Sequence, residues 1–395
     1  MAQRSIVVSC FAGWHGFDLA QGLERAGLLQ SLITLASPRQ IEARYGIPRQ
    51  RIHRLPLAPI LHRLELWLTK HAGAGLKDFY YQAFCRVYDY FTQLFLTSRT
   101  TIIVAWYPFA NRALLCAKKR GIVTALDVGS THPHHQHAVL SREHQALGLP
   151  RPWMPNRVLA NTWMFEQVDW IFVPSMAVRD SFIREGISSQ KLLINPYGID
   201  STLFNSSPLQ TRQGPFTEEY PLRVLVVAGL TPRKGSRLLL DICRHYLPDA
   251  RIRFTLVGSL DPPYCYRESD LPGNLFVQHP LPHSELVHLF HQHHVCFLPS
   301  LEEGFARVLI EAAGCGLTLL ATPPTGLADL LQRVPRVGYL LPNHQLSTAL
   351  EALDRLIQAD WPLYHPDPQS LVFFSRDAYQ ERAVQMLQSK LSNLI

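Results

Sequence analysis

Two stretches of the chain combine residue types that could handle a phosphorylated sugar. The first runs Pro299-Ser-Leu-Glu-Glu-Gly-Phe-Ala-Arg-Val-Leu-Ile-Glu311-Ala-Ala-Gly-Cys-Gly316. It reads as a strand end, a loop and the entry to a helix. Glu303 and Glu311 are eight positions apart. A helix starting near Gly304 would set them about 12 Å apart along its axis, on roughly one side. That spacing suits the two ends of a ligand of dinucleotide length. Backbone NH groups at Gly304, Phe305 and Ala306 would form a helix N-terminus facing phosphate or sugar oxygens. A first-turn glutamate alone is commonly a helix-dipole residue. A second one inside an apolar helix face asks for another reason. Carboxylates accept hydrogen bonds from vicinal hydroxyls, so one could hold a sugar and the other a ribose.

The second stretch is Val226-Val-Ala-Gly-Leu-Thr-Pro-Arg233-Lys234-Gly235. A strand ends, and a Thr-Pro turn presents two adjacent cations before a helix. The chain has 38 basic residues, only seven of them lysine, so Lys234 is a minority choice. A solvated loop has the same pattern; the functional alternative is neutralisation of a pyrophosphate leaving group. A third stretch, Asp127-Val-Gly129-Ser-Thr-His132-Pro-His134-His135-Gln-His137, holds four histidines within six residues. Metal ligands usually stand one helical turn apart or come from another element. His15 could supply such a partner, but no metal is expected. His291, His293 and His294 close a helix and read as surface residues.

The first two stretches, in this order and spacing, resemble the family-4 retaining glycosyltransferases of the GT-B fold. Glu303-Gly304-Phe305 and Glu311 match that family's Glu-x7-Glu motif with Gly-Phe after the first Glu. Lys234-Gly235 matches its Lys-Gly. The family's arginine falls at Gly229, and Arg233 is the candidate in its place; the glycine after the Phe is Ala306. Asn195-Pro-Tyr-Gly-Ile-Asp200 is like the family's Asn-Gly-Val-Asp turn. Glu166-Gln-Val-Asp-Trp-Ile-Phe-Val-Pro-Ser175 is like its Glu-x-x-Asp strand entry.

The resemblance implies sugar transfer from a nucleotide diphosphate to a hydroxyl of a glycan or glycolipid, with retention. Lys234 and Arg233 would stabilise the phosphate charge, Glu303 would hold the sugar and Glu311 the ribose. A glycine turn at Gly13 and Gly16 would approach the donor phosphates, although a plain β–α turn reads the same. His132 would face the donor sugar, with His134 and His135 as rivals. Gly258 and Leu281 would adjoin the donor, the base being read by backbone near Gln278–Leu281. No cofactor or metal is implied. A non-catalytic GT-B protein binding sugar nucleotide or glycan is the alternative, which Gly229 favours slightly.

These residues need elements to hold them. Short runs of Val, Ile and Leu alternate with longer amphipathic stretches, the pattern of parallel strands covered on both faces. Six strands are expected in each half, from Ser5–Phe11 to Leu192–Pro196 and from Arg223–Ala228 to Gly338–Leu341. The fold class is α/β, two doubly wound Rossmann-like domains facing a cleft. The resemblance implies that 1–205 is an N-terminal acceptor-binding domain, completed by a C-terminal helix over 376–395. The linker is 206–221, rich in Ser, Pro, Gly and Gln, and the nucleotide-sugar domain spans 222–375.

Composition sets the outer limits. The chain has 395 residues, 47% apolar and 17% charged, too apolar for disorder. No apolar run is long enough to span a bilayer. Seven cysteines, an odd number without CxxC spacing, point away from structural zinc and disulfides and towards a reducing cytoplasm. Residues 1–205 carry 22 Lys/Arg against 13 Asp/Glu, whereas the rest carry 16 against 18. Seven of the basic residues fall between Arg39 and Lys70. There Pro56–His71 reads either as a helix packed on the sheet or as a basic amphipathic helix on a membrane surface. The charge is expected to draw an anionic or lipid-linked acceptor, with the protein peripheral at the inner membrane surface. No aromatic-interleaved basic motif suggests nucleic acid.

Overall fold

The computed structural model describes residues 5–11, 15–204, 214–260 and 266–392. Seven parallel strands form a first sheet: β1 (Ile6–Ser9), β2 (Leu29–Thr34), β3 (Ile52–Arg54), β4 (Ile102–Trp106), β5 (Val123–Asp127), β6 (Trp170–Val173) and β7 (Leu192–Ile194). Their order is β3-β2-β1-β4-β5-β6-β7. Six more form a second sheet: β8 (Leu222–Val227), β9 (Ile252–Val257), β10 (Leu275–Gln278), β11 (Val295–Leu298), β12 (Thr318–Ala321) and β13 (Gly338–Leu340). Their order is β10-β9-β8-β11-β12-β13. The α/β expectation of two doubly wound sheets holds. The sequence reading missed β3, whose Ile-His-Arg contains no apolar run. The first half of the expected linker, 206–213, and Gly13 lie outside the described residues.

The helices of the first half are α1 (His15–Arg25), α2 (Pro38–Tyr45), α3 (Ala58–His71), α4 (Ala74–Gln93), α5 (Asn111–Lys119), α6 (Pro133–Ala146), α7 (Asn156–Ala160), α8 (Met164–Gln167) and α9 (Met176–Arg184). Those of the second are α10 (Ser236–His245), α11 (His283–His291), α12 (Arg307–Gly314), α13 (Leu327–Leu331), α14 (Leu346–Ile357) and α15 (Arg376–Ser392). α10 buries Leu238, Leu239, Leu240 and Ile242 on the second sheet. Each such side chain contributes about 1.5–3 kcal/mol. α15 crosses back onto α1, where a Cβ on Gly22 would lie 2.7 Å from Gln380 Cβ.

Strand order reverses between β1 and β4 in one sheet and between β8 and β11 in the other. Ligands of doubly wound sheets sit beyond strand ends at such points. The cation turn follows β8 and the glutamate loop follows β11, so one switch point gathers both.

Candidate active site

Beyond β8, the Thr231 hydroxyl accepts from the Lys234 NH and closes a 3-10 turn over Pro232–Lys234. Gly235 follows at φ 75°. A Cβ there would stand 1.9 Å from the Pro299 carbonyl oxygen. The cation turn is thus pressed against the end of β11, at an approach only glycine permits. The Leu301 NH donates to the Arg233 carbonyl at 2.9 Å.

Glu303 is 6% exposed. Its carboxylate pairs with Lys234 Nζ, accepts from the Ser300 hydroxyl at 2.8 Å and meets Arg233 at 3.2 Å. Arg233 also donates to the Glu302 carbonyl at 3.1 Å. The two predicted cations and the first glutamate form one cluster. Arg233 is committed to the glutamate loop rather than free.

The helix entry differs from the expectation. α12 begins at Arg307, so Glu303 lies in the preceding loop and the helical spacing to Glu311 does not apply. The Ala306 NH donates to the Thr325 carbonyl at 3.0 Å and is already used. Gly304 meets the first sheet: a Cβ there would stand 2.0 Å from the Gly129 carbonyl oxygen, and its own carbonyl accepts from Ser175 at 2.7 Å. Phe305 packs on Gly326 and Phe374. Glu311 is 7% exposed. Burial raises its carboxyl above the ordinary range, and Arg307 and His283 pull it back.

These residues line one cavity of about 1100 Å³ between the sheets, with Lys234, Glu303, Gly304, Phe305, Ala306 and Glu311 on its wall. From the first sheet it receives His15, Asp18, Gly129, Ser130 and Tyr197.

His132 is not on that wall. It caps α6, with its ring edge-on to Phe165 and Phe182 and its Nδ1 accepting from the His134 NH at 3.3 Å. Burial holds its pKa down to about 4. His15 reaches the cavity from the first sheet, and His283 from the second. The His15 ring stacks on Tyr197 at 4.3 Å, and its Nε2 lies 3.1 Å from Asp127 Oδ2. Nothing in the spacing favoured His15, because its partners come from β5 and from the segment after β7. His132, His134 and Glu185 bring ligand atoms within 4.8 Å of one another. One of those groups, His132 Nδ1, is already engaged as the cap.

Three other glycine and apolar expectations fall outside the cavity wall. Gly16 lets α1 approach β1, since its Cβ would lie 2.8 Å from Cys10 Cβ. Gly258 fits against the Ala228 carbonyl at 2.0 Å, and its NH donates to Gln278. Leu281 borders a separate hollow of about 280 Å³ with Gln278 and Glu285. His293 and His294 are buried, contrary to a surface reading. His293 bonds the Leu289 carbonyl and Thr255, and His294 accepts from the Arg223 NH.

The sequence reading missed Glu302, which is fully buried between the sheets. It accepts from the Thr131 NH and hydroxyl and from Gln136, at 2.9, 3.0 and 2.9 Å. Adjacent glutamates gave no sign of which would turn inward.

Comparison with known proteins agrees with this architecture. The profile of the family Glycosyl transferases group 1 matches residues 221–359. A phosphatidylinositol N-acetylglucosaminyltransferase component of Homo sapiens is 22% identical over 87% of this chain and 64% of its own length. The Arabidopsis thaliana protein of the same name is 26% identical over 41% of this chain and 36% of its own. The chain therefore spans less than two thirds of these relatives. Among solved structures, sucrose-phosphate synthase from Thermosynechococcus elongatus superposes with a TM-score of 0.65 at 17% identity, covering 99% of this chain and 100% of that one. HepE from Anabaena, in complex with UDP, gives 0.58 at 15% identity, covering 98% and 100%. With the motifs, the two switch points and the profile in agreement, residues 221–359 match the group 1 glycosyltransferases, and the chain has the GT-B fold.

Proposed function

We propose that the chain is a retaining glycosyltransferase that moves a sugar from a nucleotide diphosphate to a hydroxyl of a glycan or glycolipid. The observation that carries this reading is the meeting of Lys234, Glu303 and Glu311 along one cavity at the second sheet's switch point. The bond from the anomeric carbon to the phosphate oxygen breaks while a bond to the acceptor oxygen forms on the same face. The departing phosphate takes the acceptor's proton, so no carboxylate nucleophile is needed. Lys234 offsets the growing phosphate charge, and Glu303 holds it in place while contacting sugar hydroxyls. Glu311 accepts from the ribose hydroxyls. His15, supported by Asp127, faces the sugar in the role first given to His132.

HepE holds UDP in its own structure; a uridine nucleotide is the first donor to test here. Thermal shifts against UDP-, GDP- and ADP-sugars decide the matter. Binding at 100 times the dissociation constant adds about 2.7 kcal/mol of stability. No shift with any of them would remove the donor assignment. Gly229 in place of the family's arginine keeps a second reading open, a non-catalytic GT-B binding protein. Donor binding without turnover, with or without acceptor extract, would select that reading.

We further propose that the acceptor is lipid-linked or otherwise anionic, and that the protein is cytoplasmic and rests peripherally on the membrane. No described helix is long and apolar enough to cross a bilayer. α3 nevertheless exposes Ile60, Leu64 and Trp67, and α4 exposes Leu76, Phe79, Val87 and Tyr90. Those positions are three, four or eight residues apart along each helix, so each presents apolar residues outward on one side. Arg63 and Arg86 are exposed beside them. Apolar stripes bordered by cations fit an anionic bilayer surface.

A further inference from the structure

Not every guanidinium group on the cavity wall is paired with one of the cavity's carboxylates. Asp18, on α1, is 4% exposed there. Arg376 stands 3.1 Å from Asp18 and 3.5 Å from Asp200, facing both carboxylates. Two further guanidinium groups line the same cavity: Arg44 from α2 and Arg307 from the first position of α12. Among the described residues neither forms an ion pair with a carboxylate, and Arg307 Nε is buried without a hydrogen-bond partner. Both lie close enough to Asp18 and Tyr45 to act on them electrostatically, so they converge on one region.

A guanidinium with no carboxylate in ion-pair reach is open to an anionic ligand. Its planar fork matches the oxygens of a phosphate. The donor diphosphate already has Lys234. Arg44 belongs to the other wall, beside Gln40 and Ile41. Resting on the glycosyltransferase reading, we propose that Arg44 and Arg307 form a subsite for a phosphate group on the acceptor. That phosphate would be either a monoester on a soluble polyol or the diester of a lipid headgroup. The chemistry at the guanidinium groups is the same.

The test titrates glycerol 3-phosphate, with glycerol as its uncharged counterpart, into the full chain saturated with UDP. The wild type should bind the phosphate ester and not glycerol. Arg44→Gln and Arg307→Gln should each weaken binding about tenfold or more, a loss of about 1.4 kcal/mol. Arg39→Gln, an equal charge change on the exposed face of α2, should leave it unchanged, and UDP affinity should persist in the Arg39 and Arg44 variants. Flotation with phosphatidylglycerol in phosphatidylcholine vesicles, against phosphatidylcholine alone, separates the sources. Loss of the anionic-vesicle preference in the Arg44 and Arg307 variants assigns the lipid diester, and retention assigns the soluble ester. Absent binding of the phosphate ester, unchanged binding in both variants, or competition between the ester and UDP would each overturn the subsite. Should Arg307→Gln fail to fold, Arg44→Gln on the exposed helix still decides. If UDP itself does not bind, the donor reading is what fails, and the titration without nucleotide still reports the dependence on the two arginines.

Discussion

At the scale of single residues, the site is a contest between burial and charge. Glu311 stays in the cavity despite burial that raises its pKa. Glu311→Gln keeps the shape and removes the charge. It should weaken donor binding by about 1.5–3 kcal/mol, the worth of hydrogen bonds to a charged group. Calorimetric titration checks this; unchanged affinity with a lower melting point would make Glu311 structural. Lys234→Ala should lower kcat more than it raises KM, because the phosphate charge grows towards the transition state. Arg233→Ala tests the cation bound to the glutamate loop, and normal turnover there would free it of a catalytic role. His132 and His293 give a separate signature. Both are held down to about 4 by burial. Between about pH 6.5 and pH 4 the unfolded chain binds more protons at these sites, so stability falls as pH falls through that window. Urea midpoints at pH 7.5 and 5 should differ less in His293→Gln than in the wild type. An identical pH dependence would remove His293 from the account.

At the scale of elements, strand composition was legible because strands buried on both faces need long apolar runs. Twelve of the thirteen strands lie on runs read from the sequence, and β3, Ile-His-Arg, does not. The chemical loops were legible as types, Glu303 with Glu311 and Arg233 with Lys234. Their exact entry into structure was not. The start of α12 at Arg307 depends on the Ala306 NH being taken by Thr325, a partner 19 positions away. His15 and His132 exchanged places for the same reason: one reaches Tyr197 across the sheet, and the other is closed in by Phe165 and Phe182. The apolar stripes of α3 and α4 belong to this scale as well. Exchanging Trp67 and Phe79 for serine should reduce flotation with anionic vesicles. Both are more than half exposed, at 54% and 72%, so the melting point should hardly move. Equal flotation of the variant would return both helices to ordinary surface.

At the scale of the whole molecule, the cavity exists because two sheets are held together across it. Four polar contacts do this. Glu302 is bonded to Thr131 and Gln136, Ser175 to the Gly304 carbonyl, and Asp329 to the Met176 NH at 2.9 Å. Arg237 grips Glu143 through two bonds of 2.8 and 2.7 Å. The first three are buried or nearly so, and breaking them would leave unpaired groups inside. The Arg237–Glu143 pair is different. Arg237 is 43% exposed in its side chain, so solvent screens the pair and its worth is about 1 kcal/mol. It is the contact whose loss the fold can absorb, which makes it the place to test whether closure matters. Arg237→Gln removes the cross-sheet charge from the more exposed side. The expected result is a larger radius of gyration by small-angle scattering and a raised KM for the donor, with kcat little changed. High salt should move the wild type in the same direction, because a half-exposed pair is screened. Scattering and KM identical to the wild type would show that the buried contacts alone hold the sheets, with Glu302 as the group that sets the cavity's width.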